Sequence, residues 1–194
     1  DGGTPAFLQT IRAALAVKLK EEMGTREMVD REHELLAMAF PRLRAIKNLH
    51  ILADEIEDRL GVISFYVTDV HFNLIVKLLN DRFGIQTRGG CSCAGTYGHF
   101  LLHVDREHSK SITDQINHGN LASKPGWVRL SLHPTMTNAE LDYILDAIEQ
   151  VVLRVEEWKE DYVYSSHTNE YTCQIAFDAI DVHSWFELKQ QVGV

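Results

Sequence analysis

The sequence predicts an α+β fold: a small mixed or antiparallel sheet covered on one face by helices, with a long helix in front. Three observations carry this. Apolar residues recur at spacings of three and four through the first 43 positions, with no strand signal before residue 45. Short β-branched and aromatic runs then appear, separated by stretches of helical periodicity. Helices alternating with short strands after two leading helices suit a sheet that buries one face.

The elements follow in order. Thr4-Pro5 reads as a hydroxyl N-cap with proline at the first helical position. Phe7, Leu8, Ile11, Leu15 and Leu19 line the helix that follows, and Gly24 ends it. Thr25 is read as the cap of a second helix, with Met28, Leu35, Leu36, Ala39 and Leu43 on one face. Pro41 is expected to shorten or kink it. Residues 49–53 and 62–67 read as strands, and residues 70–83 as a helix closed by Gly84. Ile85-Gln86-Thr87 reads as a brief strand, while residues 99–104 fit strand and helix equally. Residues 109–117 read as helical, and the alternating run 127–133 as a strand. Thr137 opens a helix as N-cap, and Glu140 completes a capping box. Beyond residue 158 the pattern weakens and reads as an extension that packs on something else.

Composition narrows the function. A chain of 194 residues with 45% hydrophobic content can build a real core. A net charge of -9 argues against nucleic acid as a partner, because phosphate binding needs clustered Lys and Arg. No apolar run approaches bilayer-spanning length, so no membrane is expected, and no signal peptide is visible. Three cysteines, an odd number, point to a reducing compartment and a cytoplasmic protein.

Chemistry concentrates in Arg88-Gly89-Gly90-Cys91-Ser92-Cys93-Ala94-Gly95. A thiol in a Gly-rich turn is open to approach, and a nearby guanidinium favours the thiolate, the reactive form of cysteine. Three readings stand for the pair. Cys91, Cys93, His99 and His103 have the ligand types of a zinc site, although C-x-C is tighter than the usual zinc knuckle. The two cysteines can be small loop residues without chemistry. Or one is a nucleophilic, sulfur-carrying thiol. Arg129 lies within an apolar strand, where its planar fork suits a carboxylate, but an edge strand with a solvated arginine looks the same. Gly2-Gly3-Thr4-Pro5 can present N–H groups and a hydroxyl to an anion, or be an ordinary helix start.

The order of these segments resembles a known family. Gly-Gly-Thr-Pro, a long helix, Arg-Gly-Gly-Cys-Ser-Cys-Ala-Gly and residues 124–141 (KPGWVRLSLHPTMTNAEL) resemble the C-terminal part of fold-type I, class V aminotransferases. The cysteine desulfurase and selenocysteine lyase branch is the nearest, and the similarity covers residues 2 to 155. The resemblance implies pyridoxal phosphate as cofactor, a small amino acid as substrate, a homodimer, and a sulfur acceptor protein as partner. It implies that Thr4, with Gly3, reaches the cofactor of the neighbouring subunit. Arg129 would bind the substrate α-carboxylate, with Arg88 nearby. Cys93, followed by Ala94, would attack the substrate sulfur and become a persulfide. Residues 134–138 depart from the family's turn after the carboxylate-binding strand, and Cys91 is an extra thiol.

The resemblance also implies a division: residues 1–25 as the terminal helix of a large cofactor domain, 26–158 as the small domain, and 159–194 as an extension. No lysine here matches the family's Schiff-base lysine; His108-Ser109-Lys110 follows the cysteine loop and sits in a helical pattern. The expected function is therefore the C-terminal portion of a desulfurase-like enzyme, inactive alone. Two alternatives remain: another class V reaction (transamination, epimerisation or kynurenine cleavage), and a zinc-binding or interaction module.

Overall fold

The computed structural model describes residues 2–91 and 95–175. Six α-helices and six strands run in the order α1 (Phe7–Met23), α2 (Thr25–Ala45), β1 (Leu49–Ile51), β2 (Val62–Val67), α3 (Phe72–Phe83), β3 (Arg88–Gly90), α4 (Gly95–Leu101), α5 (Arg106–Asn117), β4 (Trp127–Ser131), α6 (Asn138–Trp158), β5 (Tyr162–Ser165) and β6 (Glu170–Cys173). The fold is α+β. Strands β1 to β4 form one antiparallel sheet in the order β1-β2-β4-β3, and β5 and β6 form a separate hairpin.

Strand alternation decides which face of the sheet is buried. Ile63, Phe65 and Val67 of β2 and Val128 and Leu130 of β4 are buried, and the register sets Ile63 opposite Leu130 and Phe65 opposite Val128. Three helices cover this face. Helix α2 contributes Leu35, Leu36, Ala39, Phe40 and Leu43; α3 contributes Leu74, Ile75, Leu78 and Leu79; α6 contributes Leu141, Leu145, Ile148 and Val151. Thr137 caps α6 with the full capping box: its hydroxyl accepts from Glu140 N, and the Glu140 carboxylate accepts from Thr137 N at 2.7 Å. Gly84 closes α3 in the left-handed conformation, φ +67°, with its N–H on the Asn80 carbonyl.

Several elements differ from the sequence-based expectation. Helix α1 starts at Phe7 with Ala6 as N-cap and no side-chain capping bond, so Thr4 is not the cap. Helix α2 starts at Thr25 itself, with Gly24 as N-cap, and continues through Pro41 to Ala45. The strand before the cysteine loop is Arg88–Gly90 and not residues 85–87, because only the later residues pair with β4. Residues 99–101 belong to a helix, α4. The stretch after residue 158 contains an ordered hairpin: Tyr162 joins the main core, Asn73 Nδ2 donates to the Asn169 carbonyl at 2.6 Å, and His71 packs among Phe72, Tyr164 and Tyr171. Helix α1 has no buried residue; its apolar stripe Phe7, Leu8, Ile11, Leu15 and Leu19 is 55% to 74% exposed. Among the described residues no helix is long and apolar enough to cross a membrane.

Candidate functional site

Arg129 sits in the middle of β4, between Val128 and Leu130, which point into the core. Alternation therefore turns Arg129 to the opposite face. Its register partners are Ser64 on β2 and Arg88 on β3. The sheet thus sets two arginines directly opposite one another on the face away from α2, α3 and α6. Directly opposed like charges destabilise a sheet. Neither guanidinium has an ion pair or a hydrogen bond among the described residues, and the Nε of Arg129 is buried without a partner. Two guanidinium forks on paired strands, without a partner among the described residues, suit a carboxylate, which would remove the repulsion and satisfy the donors.

The adjacent row on the same face is aromatic. Gly90 pairs with Trp127, and extending the β2–β4 register by one residue sets Tyr66 opposite Trp127. Tyr66 pairs in turn with His50, and their rings stack with centroids 4.9 Å apart. Trp127 is only 5% exposed because helix α4 lies over it; a Cβ on Gly98 would sit 3.0 Å from the Trp127 ring. Trp127, Tyr66 and His50 were not singled out from sequence. The i, i+2 spacing of Trp127 and Arg129 could have placed Trp127 on this face, but the strand pairings that bring in the other two have no local signal.

Two glycines shape the approach to the cysteine loop. A Cβ on Gly89 would lie 2.7 Å from Asn73 Oδ1 and 2.9 Å from the Phe72 ring, so β3 can rest against α3 only without a side chain there. Gly90 has φ +115°, a conformation that disfavours any other residue, and it turns the chain out of the strand. Cys91 follows, half-buried, and lines a cavity of about 160 Å³ together with Gly98, His99, Leu102, Ile112, Lys124 and Trp127. The His99 Nδ1 lies 3.3 Å from the Ser109 hydroxyl.

Of the other predicted positions, Cys93 lies outside the described residues, with Ser92 and Ala94. His103 is exposed with φ +53° and does not line the Cys91 cavity. Among the described residues no group of three or more His, Cys, Asp or Glu gathers as a metal site, and Cys91 and His99 line one cavity. Gly3 and Thr4 are exposed ahead of α1, and Thr4 makes no hydrogen bond among the described residues. They form no enclosed cradle, so the described residues do not by themselves fit pyridoxal phosphate. A groove of about 1040 Å³ between α3 and the β5–β6 hairpin, lined by Lys77, Asp81, Thr87 and Cys173 among others, contains none of the predicted site residues.

The family model for class-V aminotransferases matches residues 1–144. A cysteine desulfurase of Haloferax volcanii is 27% identical over 128 residues, covering 60% of this chain and 30% of that protein. A probable cysteine desulfurase of Staphylococcus aureus is 32% identical over 94 residues, 48% of this chain and 22% of that protein. The chain thus spans under a third of the length of these relatives. The apo structure of a cysteine desulfurase from Thermococcus onnurineus superposes with a TM-score of 0.56 at 22% identity, over 79% of this chain and 33% of that one. A cysteine desulfurase from Escherichia coli gives the same TM-score at 17% identity. At these identities the structural likeness concerns the fold.

Proposed function

We propose, because this chain belongs to the class-V aminotransferase family, that it supplies the carboxylate clamp and the sulfur-accepting thiol of a pyridoxal-phosphate enzyme of the cysteine desulfurase type. In this reading the chain works as the C-terminal portion of a longer enzyme. Residues 1–25 belong with a large cofactor domain, 26–158 form the small domain and 159–194 extend it. The observation that carries the reading is the opposed, unpaired Arg129 and Arg88 on the free face of the sheet, one turn of chain from the cysteine segment. Desulfurases among the relatives agree with it.

Each residue has a distinct task. Arg129 and Arg88 hold the α-carboxylate of a small amino acid, fixing its orientation before any bond breaks. Trp127 and Tyr66 wall the adjacent row. The Cys93 thiolate attacks the sulfur of the bound cysteine; the carbon–sulfur bond breaks, carbon takes the electron pair and a proton to give alanine, and sulfur stays on the protein as a persulfide. When bound in the longer enzyme, pyridoxal phosphate would supply the electron sink that makes such a carbon leaving group accessible. Thr4 and Gly3 reach that group in a homodimer, from the neighbouring subunit. A sulfur acceptor protein then discharges the persulfide. Because no lysine of this chain matches the family's Schiff-base lysine, the chain alone is inactive in this reading.

The test is alanine release from cysteine by the full-length protein that carries this chain. Cys93→Ala should abolish it while cysteine still binds. Unchanged turnover would remove Cys93 from the role and favour a class V reaction that uses no thiol. Incubated with pyridoxal phosphate, the chain by itself should yield no borohydride-trapped lysine; specific trapping at one lysine would contradict the division of labour.

A further inference from the structure

We infer that His71 is a pH-operated latch: neutral, it holds the tip of the β5–β6 hairpin against the start of α3, and protonated, it releases that tip. The inference does not depend on the reaction assigned to the site. His71 is the N-cap of α3, and its Nδ1 accepts the Asn73 backbone N–H at 3.1 Å. Accepting needs a free lone pair, so the proton of the neutral ring sits on Nε2. That Nε2 is buried and has no partner. The ring stacks on Phe72 with centroids 4.5 Å apart, and Tyr164 and Tyr171 close on it from the hairpin at 5.2 and 5.6 Å. Asn73, two residues on, donates from Nδ2 to the Asn169 carbonyl at 2.6 Å. A further tie runs from Leu121 N–H to the Ser166 carbonyl at 2.8 Å. The base of the hairpin is held by other contacts: Tyr162 lies in the main core and Asp161 pairs with Arg82. The tip can therefore leave while the base stays. Gly89 of β3 rests on the same Phe72 and Asn73, so the latch stands beside the strand that carries Arg88.

A second proton can go only to Nδ1. There it turns the acceptor of the cap into a donor facing the Asn73 N–H, and the cap is lost. It also puts a positive charge at the N-terminus of a twelve-residue helix, the positive end of the helix dipole. The Nε2–H of the cation still has no acceptor inside the aromatic enclosure. The attraction of aromatic faces for a cation offsets part of this. The rest is relieved when the ring moves out to water, which parts it from Tyr164 and Tyr171. Burial holds the imidazole below its ordinary value, so the neutral, latched form prevails at neutral pH. The groups around it do not compete for the role. Burial pushes the Tyr164 and Tyr171 hydroxyls upward, so both stay neutral as pH falls. Asp69, His167 and Glu170 on the flanking loop and the hairpin are exposed, and Lys77 of α3 pairs with Asp81 at 3.2 Å.

The experiment is amide hydrogen exchange read by peptide mass spectrometry on the full-length protein that carries this chain. Rates are taken at about pH 7.5 and about pH 5.5, either side of the ordinary histidine value, and divided by the intrinsic rate at each pH. A two-stranded hairpin is marginal in water once it leaves its support, so release of the tip exposes its ladder to exchange. Protection over β5 and β6 should fall several-fold at the lower pH. The ceiling is about tenfold, the most that a group with an ordinary value near 6.5 contributes one unit below it. Protection in β2 and α6 should stay constant. His71→Asn keeps a side-chain acceptor for the Asn73 N–H and takes up no proton, so its hairpin should be equally protected at both pH values. His167→Gln, which removes the other histidine of the hairpin, should respond as the wild type does. Wild-type hairpin protection that does not change with pH would overturn the inference. So would a loss shared equally by β2 and α6, or one that persists undiminished in His71→Asn.

Discussion

Replacing Arg129 by methionine should stabilise the chain and at the same time abolish its affinity for carboxylates. In the ligand-free protein Arg129 contributes two unfavourable effects. Its charge faces that of Arg88 across the β3–β4 pair, which costs about 0.2–1 kcal/mol. Its buried Nε has no acceptor, which costs about 1–3 kcal/mol. Methionine keeps most of the apolar stem and removes both. Allowing for partial loss of packing, the net gain is about 1–3 kcal/mol, or roughly 2–4 °C in Tm for each kcal/mol in a chain of this size. Thermal unfolding followed by circular dichroism reads this directly. The Coulombic part of the difference should shrink in 1 M salt, where the screening length falls to about 3 Å. The ligand arm uses L-alanine, which offers the α-carboxylate without a thiol. At about 100 times its Kd it should raise wild-type stability by about 2.7 kcal/mol and leave Arg129→Met unmoved. A variant that is less stable than wild type, or one that L-alanine stabilises equally, would refute the idea of a strained carboxylate clamp.

Three further outcomes are expected. Gly89→Ala forces a Cβ to within 2.7 Å of Asn73 Oδ1 and 2.9 Å of Phe72, so chemical unfolding should show a loss of about 1–3 kcal/mol, accompanied by weaker L-alanine binding because Arg88 moves with the strand. Thr137→Ala removes one half of the capping box of α6 and should cost about 1 kcal/mol in the same assay. Burial pushes the His71 imidazole below its ordinary value. The unfolded chain therefore binds a proton first as pH falls, so the contribution of His71 is complete above about pH 6.5 and is lost as pH drops toward its lowered folded value. His71→Phe, which keeps the ring among Phe72, Tyr164 and Tyr171, should flatten stability between pH 7 and 5; an unchanged slope would show that another group carries it.

Local chemistry made much of the fold readable in advance. The Thr137–Glu140 capping box and Gly84 are signals whose physics is complete within a few residues, and both elements they bound are where they were expected. Strand β2 was visible because its β-branched and aromatic residues alternate across the sheet. What depends on partners was not visible. Thr4 has the chemistry of a cap, yet the helix begins three residues later, so residue type alone misplaced its start. Residues 85–87 have strand-like composition, but pairing with β4 begins at Arg88. The β5–β6 hairpin has no Asn-Gly or Asp-Gly turn to announce it, and its link to α3 runs through Asn73 and His71, about 96 residues away from Asn169 in sequence for the first. The site shows the same division. Arg129 was nameable from its own strand and Arg88 from its place beside the cysteine loop, but their direct opposition follows from the strand order β1-β2-β4-β3, which no local pattern specifies. Trp127, Tyr66 and His50 join them for the same reason.

The most direct measurement is the fate of sulfur in a single turnover. The full-length protein carrying this chain is mixed with less than one equivalent of cysteine, and alanine, free sulfide and protein-bound sulfur are quantified together. Desulfuration by this site predicts alanine and protein-bound sulfur in equal amounts, with none bound in Cys93→Ala. A keto acid, or free sulfide released with no sulfur retained on the protein, would contradict it.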